Sequence, residues 1–407
     1  MSRRVIMLLA LACGVAVGNV YFPQAISPLV ADGLRIPPDS AALVVTAAQL
    51  GYAAGILLLV PLGDRVPHRT LIVTLFGLTG LGLLAASSTS ALPPLFGAGV
   101  LVGVTTVIAP IIGPMAAGLV APDRRGAVSG IMLAGSIGGM LLSRTFGGVL
   151  GEWLGWRAPY LVAAVLSLLM ALVLVFVLRR NEPATRQPYP RLVLEPLRLL
   201  RTEPALRQSC LYQALTFGGF SAVWTSVALL ITGPAFGLGA QTVGALALVN
   251  AATMIAAPFA GRLVDRRGSD FVNTVTMAGV LLSAFVLVPG ALGGVTGMVA
   301  LVLGTLLLDV AMQSGMIANQ IRIYALRPEV RSRLNTAYMV CAYLGGAAGS
   351  WLGARSYGLF GWLGVCGLLA LLALTALGRH LLTGSHRAPA PAPVPSAATP
   401  PHVRHGD

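Results

Sequence analysis

The feature that most constrains the fold is a recurrence of apolar stretches, each long enough to cross a lipid bilayer. A membrane-spanning helix needs about 20 apolar residues, and we count about twelve such stretches along the chain. Of the 407 residues, 56% are hydrophobic and only 10% are charged, a balance that soluble domains of this size do not show. The sequence therefore predicts an all-α polytopic membrane protein with about twelve transmembrane helices, surrounded by lipid.

The spans are divided by a polar, Pro-containing connector. We predict a six-helix N-terminal half over residues 1–180, a cytoplasmic linker over 181–208 and a six-helix C-terminal half over 209–383. The remaining residues, 384–407, are rich in Pro and Ala, cannot bury a core, and are predicted to be a disordered tail.

The two halves resemble each other in detail. Asp64 and Arg65 follow the second span as Asp265 and Arg266 follow the eighth. Trp156 can be aligned with Trp362. In this alignment every fourth residue from 135 to 151 is small, and so is every fourth residue from 341 to 353, while position 357 is a tyrosine. Small residues at this spacing allow close approach of membrane helices, so we expect the fifth and eleventh spans to be paired interface helices. We predict two pseudo-repeats around a central cavity.

Charge predicts the orientation. All 27 basic residues are Arg, and a cytoplasmic N-terminus places most of those in the loops on one side, as the positive-inside rule expects. We therefore predict a multi-pass protein of a bacterial inner membrane with both termini cytoplasmic. The net charge of +14 is explained by these helix ends, so no nucleic-acid partner is expected, and no obligate protein partner is inferred.

Other functional classes lack their residues. A chain without lysine cannot form the G-K-S/T phosphate loop of an ATP-driven pump. The five His residues lie in a cytoplasmic loop, at the end of the last span or in the tail, and the four Cys residues have no metal spacing. We expect no enzyme activity, no cofactor and no metal, although an intramembrane enzyme built on carboxylates alone stays open.

Two charged residues fall inside predicted spans. Asp309 interrupts the apolar stretch TLLLDVAMQ of the tenth span, and Arg144 lies in the fifth. A charge at the bilayer centre costs about 2.5–3.5 kcal/mol on insertion scales, so such groups face a cavity or a partner. With the two helices antiparallel, Arg144 lies about 7–8 Å further outward than Asp309, a gap that an arginine side chain spans in large part.

Uncharged polar residues in other spans are candidates for the lining of a cavity, because few polar groups in an apolar chamber suit a small, moderately amphipathic solute. Single members of this set are equally expected to form hydrogen bonds between packed helices. The candidates are Asn19, Tyr21, Gln24, Gln49, Tyr52, Gln213, Trp224, Asn250 and Gln313.

These features together resemble the major facilitator superfamily over nearly the whole chain. The family pattern G-x-x-x-D-R-x-G-R/K-R/K after the second span is matched better by the loop after the eighth span. The loop after the second span keeps the charged residues but has Val60 and Pro67 where glycines are expected. The resemblance implies that these loops form a latch on the cytoplasmic side, where a charge-assisted bond forms and breaks. Its residues are Asp64, Arg65 and Arg69 in the first copy and Gly261, Asp265, Arg266 and Gly268 in the second.

The N-terminal stretch from NVYFPQ to VPLGDR is similar to bacterial drug, sugar or arabinose-type efflux permeases of this superfamily. The antiporter pattern G-x-x-x-G-P-x-x-G-G of the fifth span appears here as GMLLSRTFGG, with Ser143 and Arg144 in place of the Gly-Pro pair. The resemblance implies proton-coupled efflux by alternating access. Proton-coupled import or facilitated diffusion, and a membrane sensor with a transporter fold, are the alternatives.

Asp309 is the one acid that we place in the membrane interior, and with Arg144 it is predicted to couple protons to transport. An apolar surrounding and a nearby guanidinium act on a carboxyl group in opposite directions, so relative movement of the two groups would load and release a proton. A permanent Asp309–Arg144 bridge, or an acid that binds a cationic substrate directly, is the rival interpretation.

Overall fold

The computed structural model describes residues 2–178 and 187–382, except for the side chains of residues 122, 254–258 and 328. Within these ranges the regular structure is helical, as the sequence predicts, and no strand is found. The first half of the chain, residues 2–178, contains α1 (Arg3–Leu34), α2 (Pro38–Ala41), α3 (Leu43–Leu58), α4 (His68–Ser88), α5 (Leu92–Thr105), α6 (Ala109–Gly118), α7 (Arg125–Leu154) and α8 (Arg157–Val177). The rest of the described chain contains α9 (Tyr189–Thr202), α10 (Pro204–Thr232), α11 (Ala240–Asn250), α12 (Ala256–Leu287), α13 (Gly294–Leu326) and α14 (Arg331–Leu382).

The number of spans agrees with the sequence prediction. In the described part of the chain, 10 helical segments are long and apolar enough to cross a membrane. Two helices break at glycines with positive φ, α12 at Gly268 (φ 80°) and α14 at Gly361 (φ 63°), a conformation that glycine adopts without strain. The 52-residue α14 is thus two helices of spanning length, and α11 continues through a 3₁₀ turn into the first part of α12. The bundle has between ten and twelve apolar helices.

The predicted linker contains a helix. Helix α9 lies within residues 181–208 and buries Leu199 against Leu206 and Leu334, so part of the connector packs on the second half. The Tyr189 hydroxyl at its start donates a hydrogen bond to the Leu58 carbonyl oxygen (2.6 Å), which ties the helix to the first half as well. Residues 181–186 and the predicted tail 384–407 lie outside the described residues.

Glycines bring several pairs of helices into backbone contact, and in two of these pairs the contacting glycine belongs to a stripe of small residues. A Cβ atom built on Gly139 of α7 would overlap the carbonyl oxygen of Gly14 in α1. In the second half, a Cβ atom on Gly349 of α14 would overlap the carbonyl oxygen of Gly218 in α10. The two stripes of small residues therefore face the first long helix of their own half, and dispersion contacts between backbones hold each pair together.

Neighbouring glycines of α7 provide a test of this packing. We expect Gly139→Ala to destabilise the protein by about 1–3 kcal/mol, because the added methyl group must force α1 and α7 apart. Gly138→Ala is the matched control: nothing lies within 4 Å of its Cβ position, and alanine favours the helix. Thermal unfolding in detergent measures both, and equal melting temperatures for the two variants would contradict the packing.

Candidate functional site

A cavity of about 660 Å³ lies between the first half and the second half of the chain. Helices α1, α3, α6 and α7 form one wall, and α10, α13 and α14 form the other. Exposed lining residues such as Arg331 and Ser332 lie at its mouth. The mouth faces the arginine-rich end of the bundle, by which we mean the loops at residues 60–69, 119–125 and 327–333. We refer to this space as the central cavity.

Two tyrosines close the deep side of the central cavity. The hydroxyls of Tyr21 in α1 and Tyr343 in α14 are 3.0 Å apart and form a hydrogen bond between the halves. The ring of Tyr52 packs on Tyr343 with centroids 4.4 Å apart. This tyrosine pair, Tyr21 and Tyr343, separates the central cavity from the polar residues beyond it.

Beyond the tyrosine pair lies a buried cluster of four side chains: Gln24, Arg144, Trp224 and Asp309. Each has a relative exposure of 0%. The indole Nε1 of Trp224 donates to Asp309 Oδ1 (2.9 Å), and the guanidinium carbon of Arg144 is 4.3 Å from a Trp224 ring centroid. Arg144 Nε donates to Gln24 Oε1 (2.8 Å). The indole therefore contacts both charged groups, one through its N–H and the other through its π face.

Arg144 and Asp309 are near each other without forming an ion pair. Within the described chain, neither residue has an oppositely charged group within 4.0 Å. Asp309 Oδ2 and both terminal nitrogens of Arg144 are buried and have no hydrogen-bond partner among the described residues. Arg144 belongs to the first half and Asp309 to the second, so the electrostatic attraction between them acts across the interface of the halves. Trp224 lies in contact with both side chains.

Four of the predicted cavity residues line the central cavity: Tyr21, Tyr52, Gln213 and Gln313. Gln213 accepts a hydrogen bond from the Tyr338 hydroxyl (2.7 Å).

The other five predicted cavity residues, Asn19, Gln24, Gln49, Trp224 and Asn250, do not line it. Gln24 and Trp224 belong to the buried cluster described above.

Three of these five form hydrogen bonds between helices. Asn19 donates to Ser167 (3.2 Å) inside the first half, and Asn250 donates to Thr305 (2.9 Å) inside the second. The Gln49 side chain donates to the hydroxyl of Ser221 (2.8 Å) and joins the two halves.

At the arginine-rich end, one residue of the predicted latch forms an ion pair. Asp64 Oδ2 lies 2.6 Å from Arg333 in the first turn of α14, and Arg333 also contacts Glu195 of α9 (3.4 Å). This triad connects the first half, the linker helix and the second half. The Arg333 side chain is only 13% exposed, so its bond to Asp64 is better shielded from water than a surface ion pair.

The other charged latch residues, Arg65, Arg69, Asp265 and Arg266, form no ion pair in the part of the chain that the structure describes. Of the two glycines of the pattern, Gly268 supplies the break in α12, and Gly261 has open space at its Cβ position.

The opposite end of the bundle is also joined across the halves. Glu152, near the end of α7, accepts a hydrogen bond from the Ala240 backbone N–H (2.7 Å) at the start of α11. A helix N-terminus carries partial positive charge, which favours this contact with a carboxylate. Asp39 and Arg355 form a second, more exposed pair (3.4 Å).

Sequence reasoning missed Arg333, Tyr343 and Glu152. Arg333 follows Arg331 in an Arg-rich loop, and nothing in its local sequence identifies Asp64, 269 positions away, as its partner. Tyr343 lies within the small-residue stripe region of the eleventh span and resembles a packing residue there. Glu152 lies at a predicted helix end, where a carboxylate usually contacts water.

The fold and its cavity are those of polytopic membrane transporters with a solute space between two groups of helices. Comparison with known proteins gives the family. The sequence model of the Major Facilitator Superfamily matches residues 7–350. The chain belongs to this superfamily.

Two relatives and one solved structure show the range of similarity. The "Uncharacterized transporter YgaY" of Escherichia coli O157:H7 is 38% identical over 366 residues, which cover 90% of this chain and 92% of that protein. A "Chloramphenicol resistance protein" of Streptomyces lividans is 27% identical, over 68% of this chain and 69% of its own. The crystal structure of a point mutant of the nucleoside transporter NupG matches 94% of this chain and 100% of that chain, with a TM-score of 0.74 at 12% identity, so it shows a shared fold.

The Asp64–Arg333 pair can be tested by a double-mutant cycle. We expect Asp64→Asn and Arg333→Gln each to loosen the rim of the cavity mouth, and to speed labelling of a Ser136→Cys reporter in the central cavity about fivefold, which corresponds to ~1 kcal/mol. Because the two side chains act as one bond, the double variant should label no faster than Arg333→Gln alone, which also loses the contact with Glu195.

A membrane-impermeant thiol reagent measures the rates, and labelling of the parent chain is subtracted. Asp265→Asn is the control, since Asp265 is exposed and has no ion pair among the described residues. Multiplicative effects of the two single changes would contradict a direct bond.

Proposed function

We propose that the protein is a secondary active transporter that moves a small organic solute, chemically unchanged, out of the cell in exchange for protons. In this proposal the arginine-rich end is cytoplasmic, as the positive-inside rule favours, and the membrane is a bacterial inner membrane. The central cavity is then the cytoplasm-facing solute site, and alternating access exposes the same site to the other side.

The observation that carries the proposal is the buried cluster around Asp309. This carboxyl group lies between the halves, out of contact with water, with one oxygen bound by Trp224 and the other without a partner in the described part of the chain. In its charged form it attracts Arg144 of the other half, and in its protonated form it does not. A proton at this position therefore changes the force between the halves.

An antiporter must change its access when it carries either a proton or a solute and must not change it when it is empty. The attraction between Asp309 and Arg144 provides this rule. Charged Asp309 holds the halves together at the depth of Arg144, so the empty, deprotonated carrier stays closed at the opposite end. Protonation of Asp309 weakens the attraction. The Tyr21 ring packs on Arg144, with the guanidinium carbon 5.2 Å from the ring centroid. A solute in the central cavity that separates Tyr21 from Tyr343 therefore also moves this ring away from Arg144. Either ligand, the proton or the solute, thus permits the change of access.

The contacts at the two ends suit such a change. Polar bonds join the halves at each end, among them Asp64–Arg333 at one end and Glu152–Ala240 and Asp39–Arg355 at the other. Charge-assisted bonds of this kind re-form in water at little net cost, so the two ends can open in turn.

The direction of transport is supported by one relative. The name of the Streptomyces lividans protein refers to chloramphenicol resistance, which outward transport of a small organic compound would explain. Chloramphenicol is therefore the first compound to test, followed by a panel of sugars, amino acids and amphipathic cations. Proton-coupled import, facilitated diffusion and sensing without flux are the outcomes that would oppose the proposal.

The central prediction concerns Asp309→Asn in proteoliposomes. We expect the wild-type protein to accumulate a solute against its gradient when a pH gradient is imposed. The Asp309→Asn protein should lose this accumulation and retain downhill exchange, because a permanently neutral side chain releases the attraction to Arg144 without binding a proton.

Asp265→Asn serves as the control, because it also removes one acid but lies exposed at the arginine-rich end. An Asp309→Asn protein that still concentrates solute with the pH dependence of the wild type would disprove the role of Asp309. A folded protein that moves no member of the panel in either direction would favour the sensor.

Trp224 provides an independent test of the cluster. Trp224→Phe keeps an aromatic ring beside Arg144 but removes the N–H that binds Asp309 Oδ1. A hydrogen bond to a charged group contributes about 1.5–3 kcal/mol. We therefore expect the pH dependence of transport to shift by about one to two units in Trp224→Phe, with downhill exchange retained. An unchanged pH profile would show that the indole does not act on Asp309.

A further inference from the structure

The lining of the central cavity has an unusual composition. The described lining includes five of the 12 methionines of the chain, and they come from three helices of both halves. They are Met132, Met140, Met312, Met316 and Met339. Methionine has a flexible, polarizable side chain that adapts to ligands of different shape and makes favourable contacts with aromatic rings.

The polar part of the lining is uncharged. Amides and hydroxyls, among them Gln213, Gln313 and Thr336, provide hydrogen bonds, while Tyr52 and Phe217 add aromatic surface. Among the described residues that line the cavity there is no Asp or Glu, and the one charged side chain is that of Arg331, exposed at the mouth. The lining therefore offers sulfur, ring and amide contacts but no buried partner for a charge.

Asp309 does not change this balance. It lies one turn from Gln313 along α13, yet it is absent from the cavity lining, and its Oδ1 is occupied by the Trp224 indole. A cation in the cavity would meet neither this carboxylate nor any other. It would lose its hydration without compensation, and Arg144 lies just behind the Tyr21 ring, with its guanidinium carbon 5.2 Å from the ring centroid.

From these contacts we infer that the central cavity selects uncharged, aromatic, moderately polar compounds of varied shape and disfavours cations and anions. This inference rests on the proposed function, because it assigns a solute class to the site assumed there. A volume of about 660 Å³ lies within the range of pockets for drug-sized ligands. The methionines set the tolerance for shape, and the absence of a buried charge sets the selectivity.

The test is equilibrium binding to the full chain in nanodiscs, with protein-free nanodiscs as the blank. The uncharged probe is N-phenyl-1-naphthylamine, the anionic probe is 8-anilinonaphthalene-1-sulfonate, and the cationic competitor is tetraphenylphosphonium. We expect the uncharged probe to bind in a saturable manner and both ions to bind at least about tenfold more weakly, since an unpaired charge at this depth costs more than 1.4 kcal/mol.

A single substitution should reverse the preference. Gln313→Glu places a carboxyl group of nearly the same shape in the lining and should strengthen tetraphenylphosphonium binding about tenfold or more at pH 8. Gln241→Glu makes the same chemical change at an exposed position near the start of α11, outside the cavity, and should leave all three affinities unchanged.

Two results would overturn the inference: wild-type protein that binds either ion as tightly as the uncharged probe, or folded wild-type protein that binds no uncharged probe. Binding in nanodiscs needs no proton gradient, so its outcome is independent of coupling. Selective binding without gradient-driven flux would disprove proton coupling alone, whereas gradient-driven flux of a cation would disprove the solute class alone.

Discussion

A charge enclosed within the bilayer must find its partners inside the protein, and this constraint explains the centre of the molecule. Arg144 and Asp309 are both fully buried, and water cannot compensate either of them. The chain surrounds Arg144 with the rings of Tyr21, Phe220 and Trp224 and places the Trp224 N–H on Asp309. Because several of these partners come from opposite halves, satisfying the charges also joins the halves.

The rest of the architecture keeps this junction both precise and reversible. Within each half, glycines bring backbones into contact and so pack α1 closely on α7 and α10 closely on α14. Between the halves, polar bonds join the two ends, Gly148 and Gly244 also bring α7 and α11 close together, and the middle is formed by side chains around a cavity. Rigid groups of helices joined by exchangeable bonds are suited to alternating access, because interfaces of this kind have discrete arrangements.

Much of this could be predicted from the sequence because the physical causes are local. Apolar length fixes the spans, and the spacing of small residues fixes which helix faces pack closely. The isolated charges Asp309 and Arg144 were also visible, since a carboxylate or guanidinium in an apolar span always requires a partner.

The partners themselves could not be predicted, because they depend on which helix faces meet. Linear order gave no sign that Trp224 stands between Arg144 and Asp309, that Arg333 binds Asp64, or that Asn19 bonds to Ser167. The linker helix α9 was also missed, since Pro residues mark the connector as irregular while its Leu residues pack against the second half.

The central claim, that the charge on Asp309 holds the opposite end of the bundle closed, is tested most directly by a distance measurement across that end. Spin labels at Leu154 and Leu292, which are 69% and 76% exposed, would report on the two halves by pulsed electron resonance in nanodiscs, with the four native cysteines replaced. Our account predicts short distances for the wild-type protein at pH 8, a shift to longer distances at pH 4.5, and long distances for Asp309→Asn at both values. Short distances in Asp309→Asn at both values, or a pH-dependent shift equal to that of the wild type, would contradict it.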